Sequence, residues 1–185
     1  MSRIVFLLEE RSMAEALRGL LPRVFPKWRE NQDWIVIVHE GKSDLEGAIP
    51  RKLRAWKVPG DRFLIVRDND GGDCVELKSR LLALAQEREA GEVLVRIVCQ
   101  ELEGWFLGDP KALREAYPHV ASLKIHSIPD DPDAMTNASE FLARITGQTG
   151  KILAAKAIAP HLDPARNKSR SFHVFLEGIK KLSLP

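Results

Sequence analysis

The sequence lacks long apolar segments. None of its 185 residues belongs to a stretch that approaches the roughly 18 apolar residues of a membrane-spanning helix. The N-terminus passes directly into a short apolar run, without the basic start and cleavage site of a secretory leader. Internal repeats and low-complexity tracts are also missing. These absences predict a soluble, unprocessed, cytoplasmic protein with no membrane partner.

Cysteine is scarce as well. The two cysteines, Cys74 and Cys99, lie 25 positions apart, with no Cys-x-x-Cys pair and no histidine at zinc-finger spacing. This spacing excludes a disulfide scaffold and a zinc finger. We expect two buried free thiols.

A phosphate-binding loop of the nucleotide triphosphatase type is missing too. Gly41-Lys42-Ser43 follows an apolar run, but the first glycine of that motif would fall at position 36, which is Val36. Lys42 remains a candidate for phosphate contact as a point charge. The alternative is an ordinary solvated lysine.

The apolar residues that are present alternate between two kinds of segment. Short runs typical of buried strands cover 4–8, 34–38, 63–66 and 93–98, and segments with helical spacing separate them. This order predicts an α/β fold, with a mostly parallel central sheet of about four strands, helices on both faces and a helical C-terminal segment. The length favours one domain, residues 1–185, with an α/β core over 1–110 and an irregular and helical extension over 111–185.

Three helices are expected between the strands, and one of them contains a proline. The first covers Ser12 to Leu21, and the second runs through Trp56 but must kink or restart around Pro50. The third is expected from Cys74 to Glu89.

The third apolar run ends in a dense group of carboxylates. Asp68, Asp70 and Asp73 surround two glycines. Crowded carboxylates repel unless a cation or a shared proton offsets their charge, and magnesium prefers oxygen ligands of this kind. The alternative is a turn followed by Asp73 as a helix N-cap.

Acidic residues recur after every predicted strand, as Glu9 and Glu10, Glu40 beside His39, Asp68 and Asp70, and Glu101 and Glu103. Parallel strands end at one edge of a sheet, so we expect these side chains to share that edge. The pattern predicts a metal-carboxylate centre, in which one or two ions would polarise a phosphoryl oxygen and activate a water molecule.

Basic residues concentrate near the C-terminus. Residues 144–185 carry eight Lys and Arg against two Asp and Glu, which suits either a polyanionic substrate or docking on the acidic body. Arg170 is a candidate for phosphate contact. Arg67 either neutralises the neighbouring carboxylates or holds a phosphate, and Arg96 is expected to pair with Glu9, Asp68 or Glu101.

The chain resembles the domain-of-unknown-function family numbered 4276, which is itself similar to the Toprim domains of topoisomerases, primases and OLD-type nucleases. The stretches that carry the resemblance are Phe6-Leu-Leu-Glu-Glu-Arg-Ser, Gly41-Lys-Ser-Asp-Leu, Arg67-Asp-Asn-Asp-Gly-Gly-Asp-Cys, Val95-Arg-Ile-Val-Cys-Gln-Glu-Leu-Glu-Gly-Trp-Phe-Leu-Gly-Asp and Asn167-Lys-Ser-Arg-Ser-Phe.

This resemblance implies a Toprim-like fold with a magnesium site for phosphodiester chemistry. Glu9 matches the glutamate after the first strand, and Asp68 and Asp70 match the Asp-x-Asp pair, so these three are the expected catalytic residues and metal ligands. Glu101 and Glu103 match the acidic pair before the tryptophan and are expected to bind the metal too.

The expected function is therefore that of a Mg²⁺-dependent nuclease or related phosphoryl-transfer enzyme on nucleic acid, with Mn²⁺ as a substitute ion. The family resemblance also implies an ATPase partner and a role in phage defence or in a mobile element. One departure from the family pattern is that Glu10 stands where a glycine is common. It favours the alternative function, a non-catalytic Toprim-derived module that binds nucleic acid or an ATPase.

Overall fold

The computed structural model describes residues 3–86, 92–120 and 125–183. Its centre is a four-stranded, wholly parallel sheet with the strand order β2-β1-β3-β4. The strands are β1 (Ile4–Leu8), β2 (Trp34–Val38), β3 (Arg62–Asp68) and β4 (Val93–Val98). The predicted fold class is confirmed.

The central strand β1 separates two apolar cores. All five of its residues are buried, and because successive side chains point to opposite faces, Phe6 and Leu8 belong to one core and Val5 and Leu7 to the other. A strand that is buried on both faces reads as a continuous apolar run, which is why the pattern of the sequence located it.

Helices cover both faces of the sheet, as predicted. The helices of the described ranges are α1 (Arg11–Val24), α2 (Lys42–Ala55), α3 (Cys74–Ala85), α4 (Glu103–Leu107), α5 (Pro110–Ala116), α6 (Ala138–Thr146), α7 (Lys151–Ile158) and α8 (Arg170–Ser183). Apolar residues of α2 and α3 enter one core, and those of α1 and α4–α8 enter the other. Of the helices in these ranges, none has the length and apolar character needed to cross a membrane.

One predicted boundary was wrong, and one predicted restart is absent. Strand β3 continues to Asp68, so this aspartate closes the strand instead of lying in the loop. Helix α2 continues through Pro50 without a restart, because Ile49 and Leu53 on either side of the proline are buried in the same core and hold the helix against the sheet. The alternative, a kink at Pro50, stays a prediction. Helix α3 ends at Ala85, and its predicted end at Glu89 lies outside the described residues.

The strand order creates a crevice at the carboxyl edge of the sheet. The chain leaves β1 toward α1 on one face, and leaves the neighbouring β3 toward α3 on the opposite face. Where adjacent parallel strands send their connections to opposite faces, the loops part and leave a ligand-binding cleft. This cleft lies between the ends of β1 and β3.

A clasp joins the C-terminal segment to the sheet-bound part of the chain. The buried Asn167 donates a hydrogen bond from Nδ2 to the Trp105 carbonyl (2.8 Å) and accepts one at Oδ1 from the Ser169 backbone N–H (2.9 Å). Gly108 lies so close that a Cβ there would be 2.2 Å from Asn167 Oδ1. The apolar core also includes residues of both segments. Whether the chain forms a single domain stays a prediction.

Arg96 does not pair with the carboxylates as expected. Its side chain crosses α8 and donates from Nε to the Val174 carbonyl (2.9 Å). Gly178 makes room for it, because a Cβ there would lie 2.6 Å from Arg96 Nε. The arginine therefore fastens the C-terminal helix to the edge strand β4, a contact that depends on tertiary packing.

We expect Asn167→Ala to lower the unfolding free energy by about 2 kcal/mol, because it leaves the buried Trp105 carbonyl and Ser169 N–H without their partner. This corresponds to a melting temperature about 4–8 °C lower, measured by circular dichroism. Lys168→Ala is the control, since Lys168 and its partner Asp130 are exposed and surface ion pairs contribute little. Equal losses in the two variants would contradict the role of the clasp.

Candidate metal centre

Glu9 and Asp68 meet at the cleft between β1 and β3. The Asp68 backbone N–H donates to Glu9 Oε2 (3.2 Å), and the two residues are only 8% and 5% exposed. Asp68 Oδ2 accepts a bond from the Leu102 N–H (3.3 Å) at the start of α4. Its other oxygen, Oδ1, is buried and has no hydrogen-bond partner within the described residues. The predicted meeting of these two carboxylates on one edge is therefore present.

Glu103 adds a third buried carboxylate. It is the first residue of α4 and is 1% exposed, and neither of its carboxylate oxygens has a hydrogen-bond partner in the part of the chain that the structure describes. Lys151 Nζ, from the first residue of α7, lies 3.8 Å from Glu103 Oε2. Sequence reasoning missed Lys151, because no pattern links a lysine in a late helix to a particular carboxylate.

The electrostatics show how costly these charges are. Burial raises the pKa of Asp68 well above its usual range, and neighbouring carboxylates, first that of Glu9, raise it further. Burial likewise raises the pKa of Glu9, although the bond from the Asp68 N–H opposes it. Burial raises the pKa of Glu103 to about 7, with Lys151 acting in the opposite direction. Proton uptake or a bound cation relieves such a cluster.

The same carboxylates change the pKa of Lys151. Burial alone would lower the pKa of its ammonium group, but nearby carboxylates, first that of Glu103, more than offset this and raise it. The C-terminal segment therefore places a positively charged side chain, that of Lys151, next to the buried carboxylates.

Asp70 and Lys42 lie at the exposed rim. They form an ion pair (Nζ to Oδ2, 2.6 Å) with side chains 38% and 49% exposed. The charge of Asp70 contributes to the raised pKa of Glu9. Lys42 contacts one carboxylate oxygen of Asp70, Oδ2.

Glu10 and Glu101 are engaged by serines. Glu101 accepts bonds from the Ser139 N–H (2.8 Å) and hydroxyl (2.9 Å) at the start of α6, and Glu10 accepts one from the Ser12 hydroxyl. Glu10 has an ordinary extended backbone (φ −146°), which any residue can adopt. Its charge adds to the raised pKa of Asp68.

Arg67 is buried among acidic partners. It is 6% exposed, forms an ion pair with Glu46, and places Nε 3.8 Å from Glu9 Oε2. Of the two interpretations left open by the sequence, this geometry favours neutralisation over phosphate contact.

Arg170, the candidate for phosphate contact in the C-terminal segment, and His39, which follows β2, have different surroundings. Arg170 is exposed at the start of α8 and makes no hydrogen bond or ion pair within the described ranges. His39 is buried and its Nδ1 bonds the Leu8 carbonyl (2.9 Å). Neither contacts the carboxylates described above.

The loops after β3 and β4 are joined through Asn69. Its Oδ1 accepts a bond from the Gln100 N–H, its Nδ2 donates to the Gly72 carbonyl (2.7 Å), and the Asp70 N–H donates to the Gln100 carbonyl (3.2 Å). Asp70 and Gln100 both have positive φ, +48° and +59°. Non-glycine residues in this region carry strain that often marks functional loops.

Asp73 confirms the other interpretation of the same loop. Its Oδ1 accepts bonds from the N–H groups of Val75 (2.7 Å) and Glu76 (2.8 Å) and so caps α3. The loop after β3 therefore contains a helix cap, Asp73, as well as the candidate metal ligand Asp70.

The cysteines lie at this junction and are free, as expected, but only half-buried. The two sulfur atoms are 4.0 Å apart. Burial, and next the neighbouring Cys74, raise the pKa of Cys99 to about 12, so Cys99 keeps its proton at neutral pH.

The residues present fit a hard divalent cation. Across the described ranges, no three His, Cys, Asp or Glu side chains stand together as a preformed metal site. The buried Asp68 Oδ1 and both Glu103 oxygens nevertheless lack hydrogen-bond partners there, and Glu9 lies against Asp68. Oxygen donors of this kind suit magnesium and manganese.

A cavity of about 180 Å³ opens beside Glu103 and Lys151. Residues of α6, α7 and the connection between them line the rest of it, including Ser139, Gln148 and Thr149. The C-terminal segment therefore forms most of the wall of this cavity, next to Glu103.

Comparison with known proteins assigns the chain to a family. The family model described as Domain of unknown function (DUF4276) matches residues 8–180, which contain every candidate ligand. No curated protein matched the chain.

Two solved structures have a similar fold. The C-terminal region of the OLD protein of Xanthomonas campestris pv. campestris has a TM-score of 0.56 at 18% identity, covering 98% of this chain and 95% of that one. The C-terminal region of the Burkholderia pseudomallei OLD protein has a TM-score of 0.53 at 18% identity, covering 98% of both chains. At this identity the likeness establishes the fold alone.

We expect the stability of the metal-free protein to depend on pH through Glu103. Since its pKa rises from 4.5 to about 7 on folding, the folded state holds the proton more tightly, and the unfolding free energy falls as the pH increases across this window. The loss is about 3 kcal/mol. Glu103→Gln should remove it, as measured by thermal melting in EDTA from pH 4.5 upward.

The matched control for this measurement is Glu76→Gln, which changes an exposed glutamate of α3. It should keep the wild-type slope. Parallel pH profiles for wild type and Glu103→Gln would contradict the assignment.

Proposed function

The chain belongs to the DUF4276 family, and we propose that it is a metal-dependent nuclease or related phosphoryl-transfer enzyme that acts on nucleic acid. The observation that carries the proposal is the buried Asp68 carboxylate, which lies against Glu9 with one oxygen lacking a hydrogen-bond partner in the described structure. A protein gains nothing in stability from such a group unless a cation or proton compensates it.

Glu9, Asp68 and Asp70 are the proposed catalytic metal ligands, with Glu103 beside them. Glu101 would join only by leaving Ser139, so in this arrangement it holds α6 against the centre. A bound Mg²⁺ or Mn²⁺ would polarise a phosphoryl oxygen and lower the pKa of a water molecule. The protein contributes the buried position of Asp68, the orientation given by the Leu102 N–H and the balance of charge around both.

Cations around the carboxylates would hold the phosphate. Lys151 lines the cavity next to Glu103, and Lys42 pairs with Asp70 at the exposed rim. Both are partly exposed and can exchange a carboxylate for a phosphate oxygen. Arg67 would balance the negative charges of Glu9 and Glu46. Arg170 would contact a longer substrate at the surface.

Kinship supports the same proposal. The motifs resemble those of Toprim domains, including the ones in OLD-type nucleases, and the fold is similar to the C-terminal regions of two OLD proteins. A partner ATPase and a role in phage defence or a mobile element are proposed on this ground.

We expect Mg²⁺ or Mn²⁺ to raise the melting temperature of the wild-type protein. At about 100 times the dissociation constant the stabilisation is about 2.7 kcal/mol, or about 5–10 °C. Asp68→Asn should abolish this metal-induced shift and lower cleavage of DNA or RNA at least about 100-fold. The assays use single- and double-stranded substrates with EDTA blanks.

Asp73→Asn provides the matched control, since it makes the same change five residues later, in the loop after β3, but keeps an oxygen for the helix cap. It should retain both the metal-induced shift and cleavage. The absence of a shift at millimolar ion in the wild-type protein would contradict the proposal.

Lys151→Met should lower kcat about 100-fold, since it removes a positive charge placed to stabilise the transition state, while the metal-induced melting shift persists. Lys156→Met is the control, because Lys156 lies on the same helix and faces Glu15. Steady-state cleavage with a short oligonucleotide measures both. Equal kcat values for the two variants would refute the role of Lys151.

The second candidate function is a non-catalytic module that binds nucleic acid or an ATPase. Glu10 favours it, because it adds a charge near Asp68 at a position where the family resemblance implies that glycine is common. Metal binding without cleavage of any substrate, in the wild-type protein, would support this function over the first.

A further inference from the structure

The two cysteines form a pair beside the loops of the metal centre. Cys74 is the first residue of α3 and Cys99 follows β4, 25 positions later, yet their sulfur atoms are only 4.0 Å apart. Both are free and partly accessible. A disulfide has an S–S distance of about 2.05 Å, so side-chain rotation and a small backbone movement would join them.

The segments that carry the thiols are already tied together. Asn69 donates from Nδ2 to Cys74 Sγ (3.2 Å) and accepts at Oδ1 from the Gln100 N–H. A covalent bond between Cys74 and Cys99 would therefore link two segments that the folded chain keeps in contact. The geometry favours an intramolecular bond over one between two molecules.

We propose that Cys74 and Cys99 are a redox modification site, which low-molecular-weight disulfides convert to a reversible intramolecular disulfide. The Cys74 thiolate attacks one sulfur of the oxidant RSSR, forming a mixed disulfide and releasing RS⁻. This RS⁻ takes the proton of Cys99, and the Cys99 thiolate attacks the Cys74 sulfur, forming the protein disulfide and releasing the second RS⁻, which takes a proton from solvent. Two protein thiols are oxidised, and one RSSR is reduced to two RSH.

Oxidation would also alter the centre, an effect that rests on the proposed function. Drawing the sulfur atoms together takes Cys74 Sγ away from Asn69, which positions the loops bearing Asp70 and Gln100. Metal–ligand distances in proteins lie within about 0.2 Å of their standard values. The disulfide form should therefore bind Mg²⁺ more weakly, so that oxidation switches the centre off.

The experiment treats the reduced full chain, in EDTA, with excess oxidised glutathione and then alkylates the remaining thiols. Intact mass should show the loss of two hydrogens, no glutathione and no alkyl group, and a non-reducing digest should join the peptides of Cys74 and Cys99. The oxidised monomer should melt about 4 °C or more above the reduced protein. Dithiothreitol should reverse every change.

Cys74→Ser and Cys99→Ser are the controls, since each keeps one thiol and has no internal partner for it. In each variant the remaining cysteine should either form a mixed disulfide with glutathione or stay reduced and be alkylated. If the wild-type protein also accumulates the adduct, forms a dimer, or keeps both thiols while the unfolded chain is oxidised, the proposal is wrong.

Metal-induced melting of the reduced and oxidised proteins separates the two proposals. A shift that appears only in the reduced protein supports the switch, and equal shifts refute it while leaving the metal centre intact. No shift in the reduced protein refutes the metal centre, whereas the mass measurement still decides whether the disulfide forms.

Discussion

The burial of the Asp68 carboxylate against Glu9 is the constraint on which the rest of the centre depends. Moving two like charges out of water is unfavourable by several kcal/mol per ion unless compensating groups surround them. The compensation here comes from several directions: the N–H of Leu102, the guanidinium of Arg67 and the ammonium of Lys151. The sheet brings the pair together, because β1 and β3 are neighbours that run in the same direction.

Much of the fold follows from local pattern. The apolar runs located all four strands, and their alternation with helical segments predicted a parallel sheet whose carboxyl edge collects Glu9, Asp68 and Glu103. The parts that the sequence could not reveal depend on distant packing. Helix α2 continues through Pro50 because neighbouring residues are buried, and Arg96 crosses α8 because Gly178 leaves space. Periodicity indicates which face of an element is buried, but not what covers it.

The C-terminal segment is part of the centre as well as of the core. Ser139 holds Glu101, and Lys151 reaches Glu103. The basic residues of the C-terminal segment, for which the sequence left either a polyanionic substrate or docking on the acidic body open, have mixed roles. Arg166 instead pairs with the fully buried Asp109 (3.1 Å), which fixes the path of the chain before α8. A positive net charge in a segment therefore does not identify the lysine or arginine that meets the acidic groups.

The order of the contributing residues along the chain has a temporal consequence. During translation Glu9, Asp68 and Glu103 leave the ribosome before Lys151, and α7 must then dock beside them. A nascent polypeptide therefore has its carboxylates long before it has the ammonium group that balances Glu103. The charge of Glu103 is balanced only after α7 has been synthesised and has docked.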